Sequence, residues 1–139
     1  MAGVVRDVMT TNPVTIEVGE TVHELARRMK ENDIGDVVVT DGGTVTGIVT
    51  DRDIVVRCVA EGGDPAGGTV RDIASGDLVT VQPDTPVDDA VQLMRARAVR
   101  RLPVVENGRC VGVLSVGDLA IERDTDSALA DISIAPPNR

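Results

Sequence analysis

The chain has no phenylalanine, tryptophan or tyrosine. Its core must therefore be packed from Val, Ile, Leu, Ala and Met. Aromatic platforms of the kind that stack single-stranded nucleic acid are excluded. Lysine is almost missing as well, since Lys30 is the only one. Fourteen Lys and Arg stand against 23 Asp and Glu, a formal charge of −9. That balance disfavours non-specific nucleic-acid binding, which depends on neutralising phosphates, and it disfavours an anionic membrane surface. No apolar run is long enough to span a bilayer, and the N-terminus has no signal-peptide pattern. A cytoplasmic protein is the expectation. One histidine, His23, and two distant cysteines, Cys58 and Cys110, do not make a credible zinc set. The cysteines read as small core hydrophobes rather than a disulfide, and His23 reads as part of a solvated helix face.

What the chain does have is a repeat. "GIVTDRDI" at residues 47–54 returns as "GVLSVGDL" at 112–119, 65 positions later. The same offset lays "VRDV" (5–8) on "VRDI" (70–73), "VT" (14–15) on "VT" (79–80), Met29 on Met94, Val39 on Val104 and Gly43 on Gly108. No gap is needed between residues 4 and 119. Two copies are too few for a solenoid. They predict a first motif over 4–61, a linker over 62–68 ("GGDPAGG"), a second motif over 69–122 and a mobile tail over 123–139.

Each copy predicts strand, helix, strand, strand, helix. A short strand is expected at Val14–Glu17, with its twin at Leu78–Gln82. The next helix carries apolar residues at i, i+3, i+4 and i+7: Val22, Leu25, Ala26 and Met29, then Val87, Ala90, Val91 and Met94. Thr21 with Glu24 reads as a capping box. Thr85 reads as a cap before Pro86 at the first helical position. A hairpin follows, turning at "DGG" in one copy and at Asn107-Gly108 in the other. The last helix starts at Thr50 or Ser115, and in the first copy it runs to about Glu61 before Gly62-Gly63. One such unit alone buries little apolar surface. Two copies with their sheets face to face would share a core.

The chemistry sits where the last strand ends. Thr50 with Asp53, and Ser115 with Asp118, have the spacing of a helix cap and its acid. The same spacing suits a ribose phosphate. A helix N-terminus and a hydroxyl attract phosphate, and a carboxylate accepts from two neighbouring hydroxyls. Gly47 and Gly112 leave room for either close packing or a flat base. Arg100 and Arg101 stand where the first copy has Gly35 and Asp36, so a phosphate partner is expected in the second copy only. Asp51-x-Asp53 superficially suggests a metal pair. However, residues two apart on a helix diverge by roughly 200°, and no catalytic constellation is present. The chain is not expected to be an enzyme.

On "VRDVMT", "VRDI", "RRLPVV", "GIVTDRD" and "GVLSVGD", residues 4–122 resemble a tandem pair of CBS domains, of the free-standing bacterial type. The resemblance implies an α/β fold of two pseudo-twofold-related motifs packed sheet to sheet. Clefts between them would bind adenosine ligands such as AMP, ADP, ATP, NAD or S-adenosylmethionine. By this likeness Asp53 and Asp118 hold ribose, and Thr50 and Ser115 hold phosphate. Aliphatic residues near Val14–Ile16, Val37–Val39, Val79–Val81 and Leu102–Val104 flank adenine, which brings Thr15, Val38, Thr80 and Pro103 into the candidate site. Asp36, which repels phosphate, and Val38, where the second copy has Pro103, depart from the pattern in the first copy. The likeness also implies a homodimer through the helices. An all-aliphatic chain with short second helices is itself expected to leave Ile54, Val55, Cys58 and Leu119 uncovered in a monomer. The functional expectation is a regulatory module that senses energy or stress state through an adenine nucleotide. The alternative is a dimeric interaction protein of the same fold that binds none.

Overall fold

A computed structural model describes residues 3–76 and 78–123. The expected tail therefore lies outside the described residues from position 124 onward. The chain forms two compact units that do not coincide with the two sequence repeats. One is Val14–Leu78, and the other joins the segment ending at Pro13 to the chain from Val79 onward. Each is mixed α/β with one three-stranded sheet.

In the first unit, β2 (Thr15–Glu17) runs parallel to β3 (Asp36–Asp41), and β3 pairs antiparallel with β4 (Thr44–Thr50). Between β2 and β3 lies α1 (Val22–Asn32). Its cap is as expected: the Glu24 N–H donates to Thr21 Oγ1 at 3.0 Å. The Glu24 carboxylate, however, is drawn to Arg27 and Arg28. Val22, Leu25 and Met29 are buried, but Ala26 is exposed. The stripe is therefore narrower than predicted, with Ala26 outside it. His23 is exposed. After β4 come α2 (Asp51–Ile54) and a π-helical turn over Val55–Val59. The Ala60 N–H reaches back five residues to the Val55 carbonyl at 2.8 Å, and Gly62, at φ +76°, ends the segment. A short helix, α3 (Val70–Ile73), inserts Val70 and Ile73 into a core with Ile16, Leu25, Val39, Val49 and Cys58.

The other unit begins with a 3-10 turn at Val5–Asp7 and β1 (Thr10–Thr11). Its later elements are α4 (Val87–Arg97), β5 (Arg101–Glu106), β6 (Arg109–Ser115) and α5 (Val116–Arg123). The sheet order is β1-β6-β5, all antiparallel. Val5, wholly buried, packs with Val87, Ala90, Leu102, Val104 and Leu114. Asn107 (φ +54°) and Gly108 (φ +80°) make the turn that the sequence announced.

Two expectations fail here for identifiable reasons. The strand predicted at Leu78–Gln82 shrinks to a single bridge, Val81 to Val104. In the first unit the Val38 N–H donates to the Val14 carbonyl at 3.3 Å. Pro103 occupies the equivalent place and has no N–H to give. Nor does Thr85 cap α4. Pro86 is the cap residue, with ψ 139°, and the Thr85 hydroxyl instead accepts the Gln82 N–H at 3.0 Å.

Candidate functional site

Both hydroxyl–acid pairs form at the junction of a strand and a helix, and each closes a reciprocal cap. The Asp53 N–H donates to Thr50 Oγ1 at 3.1 Å, and the Thr50 N–H returns to Asp53 Oδ2 at 2.9 Å. In the second copy the corresponding distances are 3.1 Å (Asp118 N–H to Ser115 Oγ) and 3.0 Å (Ser115 N–H to Asp118 Oδ2). Two orphan N–H groups are thereby satisfied at each helix start. One carboxylate oxygen, Oδ2, does this work in both copies. The other, Oδ1, faces different partners. Asp53 Oδ1 lies 3.8 Å from Arg57 Nε, whereas Asp118 Oδ1 accepts the Thr10 hydroxyl at 3.2 Å. A carboxylate has about four acceptor positions, so the capping and ligand-binding readings of these acids are compatible.

The strand entrances complete the junctions. The Asp51 N–H donates to the Gly35 carbonyl at 2.9 Å, and the Val116 N–H to the Arg100 carbonyl at 3.0 Å. Arg101 is the register partner of Ser115, as Asp36 is of Thr50. The two junctions thus have the same backbone and different charge. Asp36, Asp51 and Asp53 with Arg52 and Arg57 belong to one, while Arg100 and Arg101 with Asp118 belong to the other. A Cβ on Gly35 would lie 3.0 Å from Asp51 Oδ2, so that side chain would have to move aside.

Of the remaining candidates, Thr15 and Val38 are register partners, and Val38 in turn faces Ile48 across β3 and β4. The Thr15 carbonyl also accepts from Arg28 at 2.7 Å. Pro103 pairs with Val113, two residues along the sheet from the Arg101–Ser115 pair. Thr80 precedes the Val81 bridge and belongs to no strand.

The glycines are explained by packing. A Cβ on Gly112 would sit 2.8 Å from the Thr10 carbonyl and 2.7 Å from Met9 Sδ. One on Gly47 would sit 2.5 Å from the Ser75 carbonyl. The space that a flat base would need beside these glycines is filled by the chain's own backbone. Sequence reasoning missed Thr10, although a signal existed. The offset of 65 that aligns the repeat also lays Thr10 on Ser75, one hydroxyl on another.

The exposed apolar surface differs from expectation. Cys58 and Leu119 are buried and Ile54 is half-buried, while Val55 (58% exposed), Val56 (43%) and Val59 (58%) face outward. In the first unit the π-helical turn changes which residues share the outer face, while Leu119 packs into the core of the other unit. Cys58 and Cys110 are free thiols. Among the described residues no group of three or more His, Cys, Asp or Glu side chains is placed to hold a metal ion. Among them, too, no helix is long and apolar enough to cross a membrane.

Comparison with known proteins agrees with this geometry. The CBS domain family model matches residues 5–59 and again residues 70–123. The CBS domain-containing protein YhcV of Bacillus subtilis is 39% identical over 134 residues, covering 93% of this chain and 94% of its own. The crystal structure of Hypoxic Response Protein I with two coordinated zinc ions superposes with a TM-score of 0.78 at 30% identity, over 86% of this chain and 98% of that one. A hexameric CBS-CP12 protein from bloom-forming cyanobacteria gives 0.72 at 31% identity, over 89% and 68%. With the repeat, both capped junctions and both matches in agreement, the chain belongs to the CBS domain family as a tandem pair, a regulatory module and not a catalyst.

Proposed function

We propose that this CBS pair binds an adenosine nucleotide and reports adenylate state, and so energy or stress, to a partner protein in the cytoplasm. The observation that supports this reading most is Asp118 Oδ1. It accepts a hydroxyl at 3.2 Å while Oδ2 remains committed to the helix cap. The carboxylate therefore already holds one side-chain hydroxyl in the way it would hold a ribose hydroxyl. The Ser115 hydroxyl, which keeps its own proton to donate, and the positive end of α5 supply the phosphate end, and Arg101, beside Ser115 in register, adds charge there.

Calorimetric titration with AMP, ADP, ATP and adenosine tests the reading. AMP is expected to bind more tightly than adenosine, and added salt should narrow the gap, because the difference is a phosphate–arginine attraction. Equal affinity at low salt rejects the arginine role. No binding of any of the four at millimolar concentration rejects the nucleotide.

Two observations favour a second reading, a dimeric interaction protein without a nucleotide. Both acids serve as caps in the chain by itself, and three valines of one short segment are exposed. The two readings share the homodimer and part only at the titration.

A further inference from the structure

Thr10 and Asp118 are 108 residues apart in sequence, yet the Thr10 hydroxyl donates to Asp118 Oδ1 at 3.2 Å and lies 3.4 Å from Oδ2. An ionised carboxylate only accepts, so Thr10 must be the donor. It presents to Asp118 the same chemical group that a ribose diol presents. Its position is fixed by register: Thr10 pairs with Val113 and Thr11 with Gly112, whose missing side chain admits the Thr10 carbonyl.

We propose that Thr10 is a tethered competitor for the Asp118 acceptor, and that a ligand hydroxyl arriving at Asp118 releases the hydrogen bond joining β1 to α5. This rests on the nucleotide reading above. Exchange of one hydroxyl for another keeps the carboxylate satisfied throughout, so neither state leaves a charge without donors. The element being released is suited to it. β1 is two residues long, both are exposed, and Asn12 follows with a left-handed backbone (φ +55°). Short, exposed pairing of this kind lies at the low-stability end of a fold. Ligand then selects between a fastened and an unfastened β1, and apparent affinity is reduced by the fraction of molecules in which Thr10 holds the site.

Thr10→Val keeps the β-branched shape and removes the hydroxyl. Adenosine and AMP should each bind roughly 3- to 10-fold more tightly to Thr10→Val than to the wild type, the worth of one hydrogen bond, while Thr10→Ser should match the wild type. In the wild type, saturating AMP should quicken hydrogen exchange over residues 10–11, a response that a purely structural Thr10 would not give. Equal or weaker binding by Thr10→Val, or slower exchange over residues 10–11 with AMP, overturns the competition and leaves the nucleotide reading standing. Failure of wild type and variant alike to bind AMP or adenosine overturns both.

Discussion

Asp118 carries two duties at the scale of a residue, and a single substitution separates them. Asp118→Asn retains an acceptor for the Ser115 N–H but loses the charge. A charge-assisted hydrogen bond contributes about 1.5–3 kcal/mol, so AMP affinity should drop roughly 10- to 150-fold. Stability should fall by only about 1 kcal/mol or less, because Asn is a competent cap partner. Titration beside a melt followed by circular dichroism checks both. Unchanged affinity with a clear drop in Tm makes Asp118 a cap alone. Asp53→Asn should matter less to nucleotide, since Asp36 and Asp51 already surround that junction with negative charge. Cys110 offers a separate residue-scale test. Burial pushes its thiol up, with backbone hydrogen bonds opposing only in part. A folded-state value above the unfolded one means that stability is complete below the unfolded pKa, about 8.5, and is lost as pH rises past it. Tm should therefore fall more steeply as pH rises above about 8.5 in the wild type than in Cys110→Ala. With no tyrosine and one lysine in the chain, few other groups obscure that limb. Parallel slopes for the two proteins would show that the thiol contributes nothing.

At the scale of the element, the end of α4 holds stored strain. Ala98 sits at φ +53°, ψ 41°, a left-handed cap conformation that suits glycine far better than alanine. Ala98→Gly is expected to raise stability by about 0.5–1 kcal/mol, read as a higher urea midpoint with unchanged slope, whereas a lower midpoint would show that the cap is not strained. Nothing in the sequence marked this position, because the repeat lays Ala98 on Asp33, also left-handed, and neither is glycine. The elements that were legible owed their clarity to strong local chemistry. Asn107-Gly108 fixed a turn, Thr21 a cap, and Thr50 and Ser115 two helix starts. The elements that were not legible depend on partners far away in sequence. β1 exists because β6 offers an edge at Val113 and Gly112. The strand expected at Leu78–Gln82 fails because its neighbour contributes Pro103. Likewise the candidate acids were legible from their spacing, whereas Thr10 was marked only by its alignment with Ser75, and only the fold carries it to Asp118.

At the scale of the whole molecule, Val55, Val56 and Val59 form an apolar strip that water does not favour. Sedimentation at micromolar concentration should show a species near twice the 14.6 kDa chain mass, and Val55→Lys with Val59→Lys should return it to the monomer. A wild type that stays monomeric at high concentration rules the dimer out. The division into compact units bears on synthesis. Everything that Val14–Leu78 needs has been made by the time residue 78 is joined, so that unit can fold early. The segment carrying Val5 and Thr10 must wait for β6, on the order of 100 residues and 5–20 seconds later at ordinary elongation rates. Val5 and Thr10 are thus made before the Val14–Leu78 unit and find their place after it. Until then Val5, destined to be wholly buried, travels uncovered, waiting for Arg109–Ser115 to close over its segment.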